Sequence, residues 1–170
     1  MPGERLSSDE SGGEAACFDA RVASCHARLY RYLLRLSGRP DEAEELAQQA
    51  WVVAWERRGT FAGTGTFLSW LLAIGRNLAM ERGRSEARRR RREGAGRVPA
   101  DGGAVLEEEE RVTVRNALDG MEEGVREALW LRVVEGLGFQ EVADLQGVAV
   151  STAHARVGQG LRDLAGRIGR

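Results

Sequence analysis

Three groups of side chains in this 170-residue chain have types and spacings that could do chemistry: five consecutive arginines at residues 88–92, the carboxylates Asp41, Glu42, Glu44 and Glu45, and the ligand-type residues Cys17, Cys25 and His26. A run of guanidinium groups suits the phosphates of a nucleic-acid backbone, although a solvated basic tail accounts for it equally. Clustered carboxylates could hold a metal ion for hydrolysis. On a helix, however, the spacing of Glu42, Glu44 and Glu45 scatters them around the axis, and they read as a surface. The two thiols and the imidazole supply three metal ligands at a spacing that matches no zinc pattern and without a fourth ligand, so free thiols are expected and no metal. His26 and His154 are the only imidazoles, and no nucleophile stands beside a base. With no glycine-rich nucleotide loop either, no catalytic residue and no cofactor is expected, and the chain reads as a non-enzyme.

The formal net charge of -1 conceals a segregated distribution. Residues 25–94 carry fourteen arginines against eight acids, whereas residues 106–170 carry eight arginines against twelve acids. The whole-chain charge gives no hint of nucleic acid, but its distribution does. No apolar run approaches the ~20 residues that span a bilayer, so direct membrane insertion is not expected. The N-terminus lacks the basic start and apolar stretch of a secretory signal, which predicts a cytoplasmic location.

The elements that position these groups are helical throughout. Residues 1–16 are rich in Ser, Gly, Glu and Asp without periodicity, and an N-terminal arm over residues 1–24 is expected to be flexible. Leu29, Leu33 and Leu36 then define a helix that should stop at Ser37 and Gly38, before Pro40. Asp41 is placed to cap a second helix with the apolar stripe Leu46, Ala47, Ala50, Trp51, Ala54 and Trp55. After a glycine-rich loop, Thr66 or its neighbour can cap a third helix carrying Phe67, Leu71, Ile74 and Leu78, which runs into the arginine block. Residues 94–105 lose apolar spacing and read as a linker, followed by an acidic run at residues 107–110. Beyond it, one helix passes through Val125, Leu129 and Val133, a short one covers residues 139–146, and Val150, Ala153, Val157, Leu161, Leu164 and Ile168 mark a last helix. Short helix, glycine turn, longer helix is the layout that places a second helix in the major groove of duplex DNA, and it is also simply a way to pack helices. The expected fold is all-α: two small helical domains, residues 25–93 and 106–170, joined by a flexible linker.

Residues 41–55, Asp-Glu-Ala-Glu-Glu-Leu-Ala-Gln-Gln-Ala-Trp-Val-Val-Ala-Trp, resemble the helix of region two in sigma factors, the promoter-recognition subunits of bacterial RNA polymerase. The resemblance continues through Phe61, Phe67, Trp70, Leu71 and Ile74 to Arg76, Asn77, Leu78, Ala79 and Arg82. In the C-terminal half, Ala117 and Leu118 through Leu131 and Arg132, then Glu135, Gly136, Glu141, Val142 and Ala143, with Gly147, Val148 and Thr152 in the turn, are similar to region four. With no central region between the two, the likeness is to the compact extracytoplasmic-function group.

That resemblance implies core RNA polymerase and promoter DNA as partners, and an anti-sigma factor as a further candidate partner. It implies that Glu42, Glu45, Gln48 and Gln49 dock on core polymerase, a solvated helix face being the alternative. It gives Thr66, Arg76, Asn77, Arg82 and Arg84 to the opened minus-ten element, where cations meet phosphate and polar groups meet base edges. Asn77 has a structural reading beside this one. Phe67 and Trp70 have spacings that favour packing over base stacking. Region four implies that Ser151, Thr152, His154 and Arg156 read the minus-thirty-five element as duplex. Here the chain departs from the family pattern: His154 stands where Lys is common, and Gly158 and Gly160 fall inside the helix, each costing about 1 kcal/mol relative to Ala. These departures motivate a second reading, a sigma-derived regulator that binds polymerase or another protein and no longer reads the upstream element.

Overall fold

The structure is a computed structural model. It describes the backbone of residues 8–61, 63, 65–93, 118 and 120–168, and the side chains of these except residues 8–17, 87–93 and 167–168. The first seven residues, the side chains of Cys17 and of the arginine block at 88–92, the expected linker at 94–105 and the acidic run at 107–110 therefore lie outside what is described.

The described residues form six α-helices, one short 3-10 turn at Arg58–Thr60 and no strand. The all-α, two-bundle architecture is as the periodicity requires. Helices α1 (Ser8–Ser37), α2 (Pro40–Glu56) and α3 (Phe67–Glu93) pack on one another as an N-terminal bundle. Helices α4 (Glu123–Val133), α5 (Phe139–Gln146) and α6 (Val150–Ile168) form a C-terminal bundle, and α5 also packs against α3. The two bundles thus touch rather than hang apart on a tether.

The first helix differs from expectation. It starts at Ser8, so most of the segment expected as a flexible arm over residues 1–24 is continuous with the helix of Leu29 and Leu33. Phe18 explains the extension at its better-defined end, because its buried ring meets Trp51, Trp55 and Phe67 edge-on at centroid distances of 5.7, 5.0 and 6.3 Å. Edge-to-face geometry sets the positive rim of one ring against the negative face of another and adds to the burial of the rings. Phe67 and Trp70 belong to the same cluster, 5.4 Å apart, with Phe61 5.6 and 5.5 Å from them.

Helix α1 ends where Gly38 takes φ +80° and donates its N–H to the Leu34 carbonyl. Asp41 does not cap α2. Arg39 is the N-cap residue and Pro40 opens the helix, which suits proline because the first turn has no use for its missing N–H. Asp41 lies inside that turn and pairs with Arg39 at 2.9 Å. Thr66 does cap α3: its hydroxyl accepts the Ser69 N–H at 3.1 Å. In the C-terminal bundle, Gly147 at φ +66° closes α5, and Val148 N–H reaches the Ala143 carbonyl at 3.0 Å, making the turn between the two helices.

Helix α6 is continuous through both of its glycines. Gly160 is buried, and a Cβ placed there would come within 3.2 Å of Leu129 Cδ2 and 3.3 Å of Leu129 Cβ and Val125 Cγ1. This glycine lets α6 approach α4 closely, so it is part of the packing and not a fraying point. Leu161, expected in the buried stripe, is instead 50% exposed, and Val133 also faces outward.

Candidate polymerase-binding and DNA-binding surfaces

The resemblance groups Glu42, Glu45, Gln48 and Gln49 of α2 as one docking face, and the structure divides them. Glu45, Gln48 and Gln49 are exposed, with Gln48 donating to Glu44 one turn away at 3.3 Å. Beside them Val52 is 58% exposed, although it is apolar, and it lines a shallow groove with Glu45, Gln48, Gln49, Val53 and Leu78. Glu42 is different: its side chain is only 13% exposed and lies 3.6 Å from the Arg82 guanidinium. Burial, together with the charge of Glu86, raises its carboxyl pKa against the pull of Arg82. The stripe pattern carried a signal for Val52 that the residue-by-residue reading passed over, since Val52 falls off the buried positions Leu46, Ala47, Ala50 and Ala54.

Helix α3 presents the residues assigned by resemblance to the minus-ten element. Asn77 and Arg84 are exposed. Arg82 reaches back to α2, where its Nη2 donates to Glu45 Oε2 at 2.5 Å. That hydrogen bond, with the charges of Glu45, Glu42 and Glu86 also acting against desolvation, raises the Arg82 pKa. Two surfaces expected to be separate therefore share a residue pair, Arg82 and Glu45.

Arg76 and Thr66 are already engaged by the other bundle. Arg76 donates through Nε and Nη2 to Glu127 of α4 at 3.0 and 3.3 Å. Tyr32 of α1 donates its hydroxyl to the same carboxylate at 2.7 Å, and Gln146 of α5 donates to it at 3.0 Å. The Glu127 side chain is 4% exposed. Its burial raises the pKa, but the hydrogen bonds from Arg76 and Tyr32, the Arg76 charge and Gln146 outweigh that and hold it below the usual carboxylate range. Burial, and then the adjacent Glu127 charge, push the Tyr32 hydroxyl well above 10.0.

Thr66 meets Glu141, the third residue of α5. Glu141 Oε1 accepts from the Thr66 N–H and hydroxyl, both at 2.7 Å, while its Oε2 accepts the Gly138 N–H at 2.8 Å. One carboxylate thus caps its own helix and the start of α3 across the bundle boundary. Desolvation opposes ionisation here, but the hydrogen bonds from Thr66 and Gly138 lower the Glu141 pKa to about 2. A third contact joins Arg28 of α1 to Glu135 beyond α4, Nε to Oε2 at 2.7 Å, with Arg28 also donating to the Glu135 carbonyl. Arg35 lies 3.4 Å from Glu123.

At the start of α6, Ser151 and His154 are exposed and Thr152 is half-buried. The His154 ring stacks on Phe139 of α5, centroids 3.5 Å apart and planes 20° from parallel, with Arg132 on Phe139 at 4.9 Å. Arg156 turns inward: its Nη1 donates to Gln146 Oε1 at 2.9 Å, and its guanidinium occupies the space beside Gly124. Arg156, Gln146, Glu127 and Arg76 form one continuous hydrogen-bonded chain from α6 to α3.

The residues missed by sequence reasoning are the acids of the C-terminal bundle. Glu127 stands among Val125, Ala128, Leu129 and Leu131, a charge at a position that is buried with its apolar neighbours, and this was the available signal. His26, weighed as a metal ligand, instead accepts the Trp51 Nε1–H at 3.2 Å. Cys25 is buried beside Ser24.

Comparison with known proteins matches residues 22–90 to the Sigma-70 region 2 family and residues 111–164 to Sigma-70 region 4. The chain is 32% identical over 159 residues to an extracytoplasmic-function RNA polymerase sigma factor, SigK, of Mycolicibacterium vanbaalenii, covering 89% of this chain and 81% of that protein. It is 34% identical over 141 residues to the sigma factor EcfG of Rhodopseudomonas palustris, covering 76% and 72% of the two chains. Its fold is similar to that of the sigma factor RpoE of Bartonella quintana, solved in complex with the anti-sigma factor NepR, with a TM-score of 0.72 at 23% identity over 89% of this chain and 96% of that one. With both regions in order and the two helical bundles that carry them, the chain belongs to the extracytoplasmic-function family of RNA polymerase sigma factors and serves as an alternative sigma factor for promoter recognition in transcription initiation.

Proposed function

We propose that the exposed face of α2 formed by Glu45, Gln48, Gln49 and Val52 docks on core RNA polymerase, and that Glu42 acts behind it by holding Arg82. The observation that carries this is a solvent-facing valine in a groove with Val53 and Leu78, edged by Glu45, Gln48 and Gln49, on the helix that carries the family motif. Apolar side chains exposed within a polar rim are where protein partners gain most from desolvation. The minus-ten element falls to the start and middle of α3, through Thr66, Arg76, Asn77, Arg82 and Arg84. The minus-thirty-five element falls to the start of α6, through Ser151, Thr152 and His154, with Arg156 orienting the helix from behind.

In this reading the protein works through binding energy and catalyses no bond change. Its place is the cytoplasm, where polymerase and promoter are, and an anti-sigma factor is a partner to test for. Among the described residues no helix is long and apolar enough to cross a membrane, and no cluster of His, Cys, Asp or Glu is placed to hold a metal.

One observation favours the second reading, a regulator that has given up upstream DNA: the Arg156 guanidinium is spent on Gln146. Site-specific photocrosslinking separates the two. A photoreactive residue at Gln49 should capture a core-polymerase subunit, one at Asn77 the unpaired promoter strand, and one at Ser151 the upstream duplex. Capture at Gln49 and Asn77 without capture at Ser151 would favour the regulator.

A further inference from the structure

We infer that Phe139 is a positioning residue for promoter reading: it holds the His154 imidazole flat, so that His154 reads the edge of one base pair of the upstream element instead of adding a mobile charge to the phosphate backbone. The inference rests on the assignment of the start of α6 to upstream duplex DNA. The two rings lie 3.5 Å apart between centroids and 20° from parallel, in contact across a whole face. Phe139 can serve as a platform because it is itself fixed. It is the first residue of α5, directly after Gly138, whose N–H donates to Glu141 Oε2 at 2.8 Å, and its half-buried ring packs against the core. The Arg132 guanidinium lies over the same ring at 4.9 Å and is tied through Nη1 to the Leu137 carbonyl at 3.0 Å.

A stack covers a face of the imidazole and leaves its edge, where both ring nitrogens lie in the plane. That edge can carry a donor and an acceptor together, whereas a lysine ammonium offers donors only, at the end of a flexible stem. Base edges in the major groove are told apart by the type and direction of the hydrogen bonds they make, while a phosphate is met by any cation within reach. A ring whose plane is fixed suits the first task and a mobile ammonium the second. The surroundings leave the ring accessible. His154 and Ala155 beside it are exposed, and one turn further on stands Gly158. Side chains on a helix lean toward its N-terminus, so a larger residue at 158 would lean over His154. A Cβ at Gly158 would meet Arg162 Nη1 at 3.4 Å.

The departures of α6 from the family pattern act together in this arrangement. Arg156 is engaged by Gln146, and the exposed polar side chains at the start of the helix are Ser151 and His154. Residues 106–170 carry eight arginines against twelve acids, so long-range attraction contributes little to DNA binding and short-range contacts to base edges must supply the preference.

The test uses the full-length chain bound to core polymerase and fragments of a promoter mapped by transcription in vitro, with the upstream element randomised one base pair at a time. The bound fraction is sequenced for wild type and for each variant. Wild type should prefer one base pair about fivefold or more over the alternatives at the position His154 meets. His154→Ala, at an exposed position, should flatten that preference and so identify the base pair. Phe139→Leu, which keeps an apolar side chain and removes the flat face, should flatten the same one and leave the other upstream positions, the minus-ten preferences and the salt dependence as they are; Phe139→Tyr should restore it. His154→Lys should lose the preference and steepen the logarithmic salt dependence by about one unit, the mark of an added phosphate contact. A preference that survives His154→Ala or Phe139→Leu would overturn the inference, as would a loss spread evenly over every upstream position, which is what a merely loosened bundle gives. If Phe139→Leu fails to fold, Phe139→Met takes its place with the same two outcomes. A wild type with no preference anywhere in the upstream element would instead defeat the assignment of α6 to upstream DNA, and the inference with it.

Discussion

The Glu127 carboxylate of the C-terminal bundle receives the Arg76 guanidinium of the N-terminal bundle through two hydrogen bonds, at 3.0 and 3.3 Å, with Tyr32 and Gln146 filling its remaining acceptor positions. Both partners are removed from bulk water, Glu127 almost wholly. A buried pair is weak evidence of net stabilisation, since desolvation offsets much of the attraction, but breaking it by removing one partner is costly. Its value here is specificity of arrangement, fixing which faces of the two bundles meet.

Replacing Glu127 by Ala should leave Arg76 and the Tyr32 hydroxyl without their acceptor. We expect a loss of up to about 3 kcal/mol in the coupling between bundles, the low end for a broken buried pair because Arg76 retains some solvent contact. Calorimetry should resolve two unfolding transitions in the variant where the wild type gives one. A single transition at the wild-type temperature would count against the coupling.

The Glu141 contact carries a pH signature. Its carboxyl titrates at about 2 in the folded chain, below the ordinary value of 4.5, so the stabilisation it gives is full above pH 4.5 and is lost as pH falls from there toward 2. Thermal melts of wild type and Glu141→Gln should differ most at neutral pH and converge as the buffer is acidified through that window. A difference that stays constant from pH 6 to pH 3 would rule the contact out as the source.

Two glycines should respond in opposite directions to alanine. At Gly160 the added methyl meets Leu129 and Val125 at 3.2 to 3.3 Å, and one of the crowded atoms is the Leu129 Cβ, which no change of rotamer can move. Overpacking costs about 1–3 kcal/mol and exceeds the gain of about 1 kcal/mol in helix propensity, so Gly160→Ala should destabilise. At Gly83, in α3, nothing lies within 4 Å, and Gly83→Ala should stabilise by up to about 1 kcal/mol. Chemical denaturation midpoints give both signs.

The docking face should be separable from the fold. Gln49→Arg and Val52→Asp alter exposed positions, so they should weaken core-polymerase binding at least about tenfold, as loss of an interface anchor does, while leaving the melting temperature within a degree or two. Glu42→Arg should instead lower stability, because it sets a second cation beside Arg82. Fluorescence polarisation against core polymerase, alongside melts, distinguishes the two effects.

Much of this architecture was legible in the sequence because helix periodicity and helix ends are local. The stop at Gly38, the cap at Thr66, the extent of α5 and the turn at Gly147 all follow from a few adjacent residues. What escaped was set by partners distant in the chain. Phe18 looked like part of a polar arm until the rings of Trp51, Trp55 and Phe67 gave it a pocket. Gly160 looked like a weak point in a helix until Leu129 occupied the space a side chain would take. Arg76 and Arg156 were named from their motifs, but motif spacing does not tell which way a long side chain turns: Arg76 turns to Glu127 of the other bundle, and Arg156 turns into its own bundle, to Gln146.

The central claim is that this chain directs core polymerase to promoters, and transcription in vitro from a library of genomic fragments tests it most directly. With core polymerase and the purified protein, new start sites should appear that share spaced upstream and downstream elements and are absent without the protein. Stable polymerase binding with no new start sites, or no binding at all, would contradict the account.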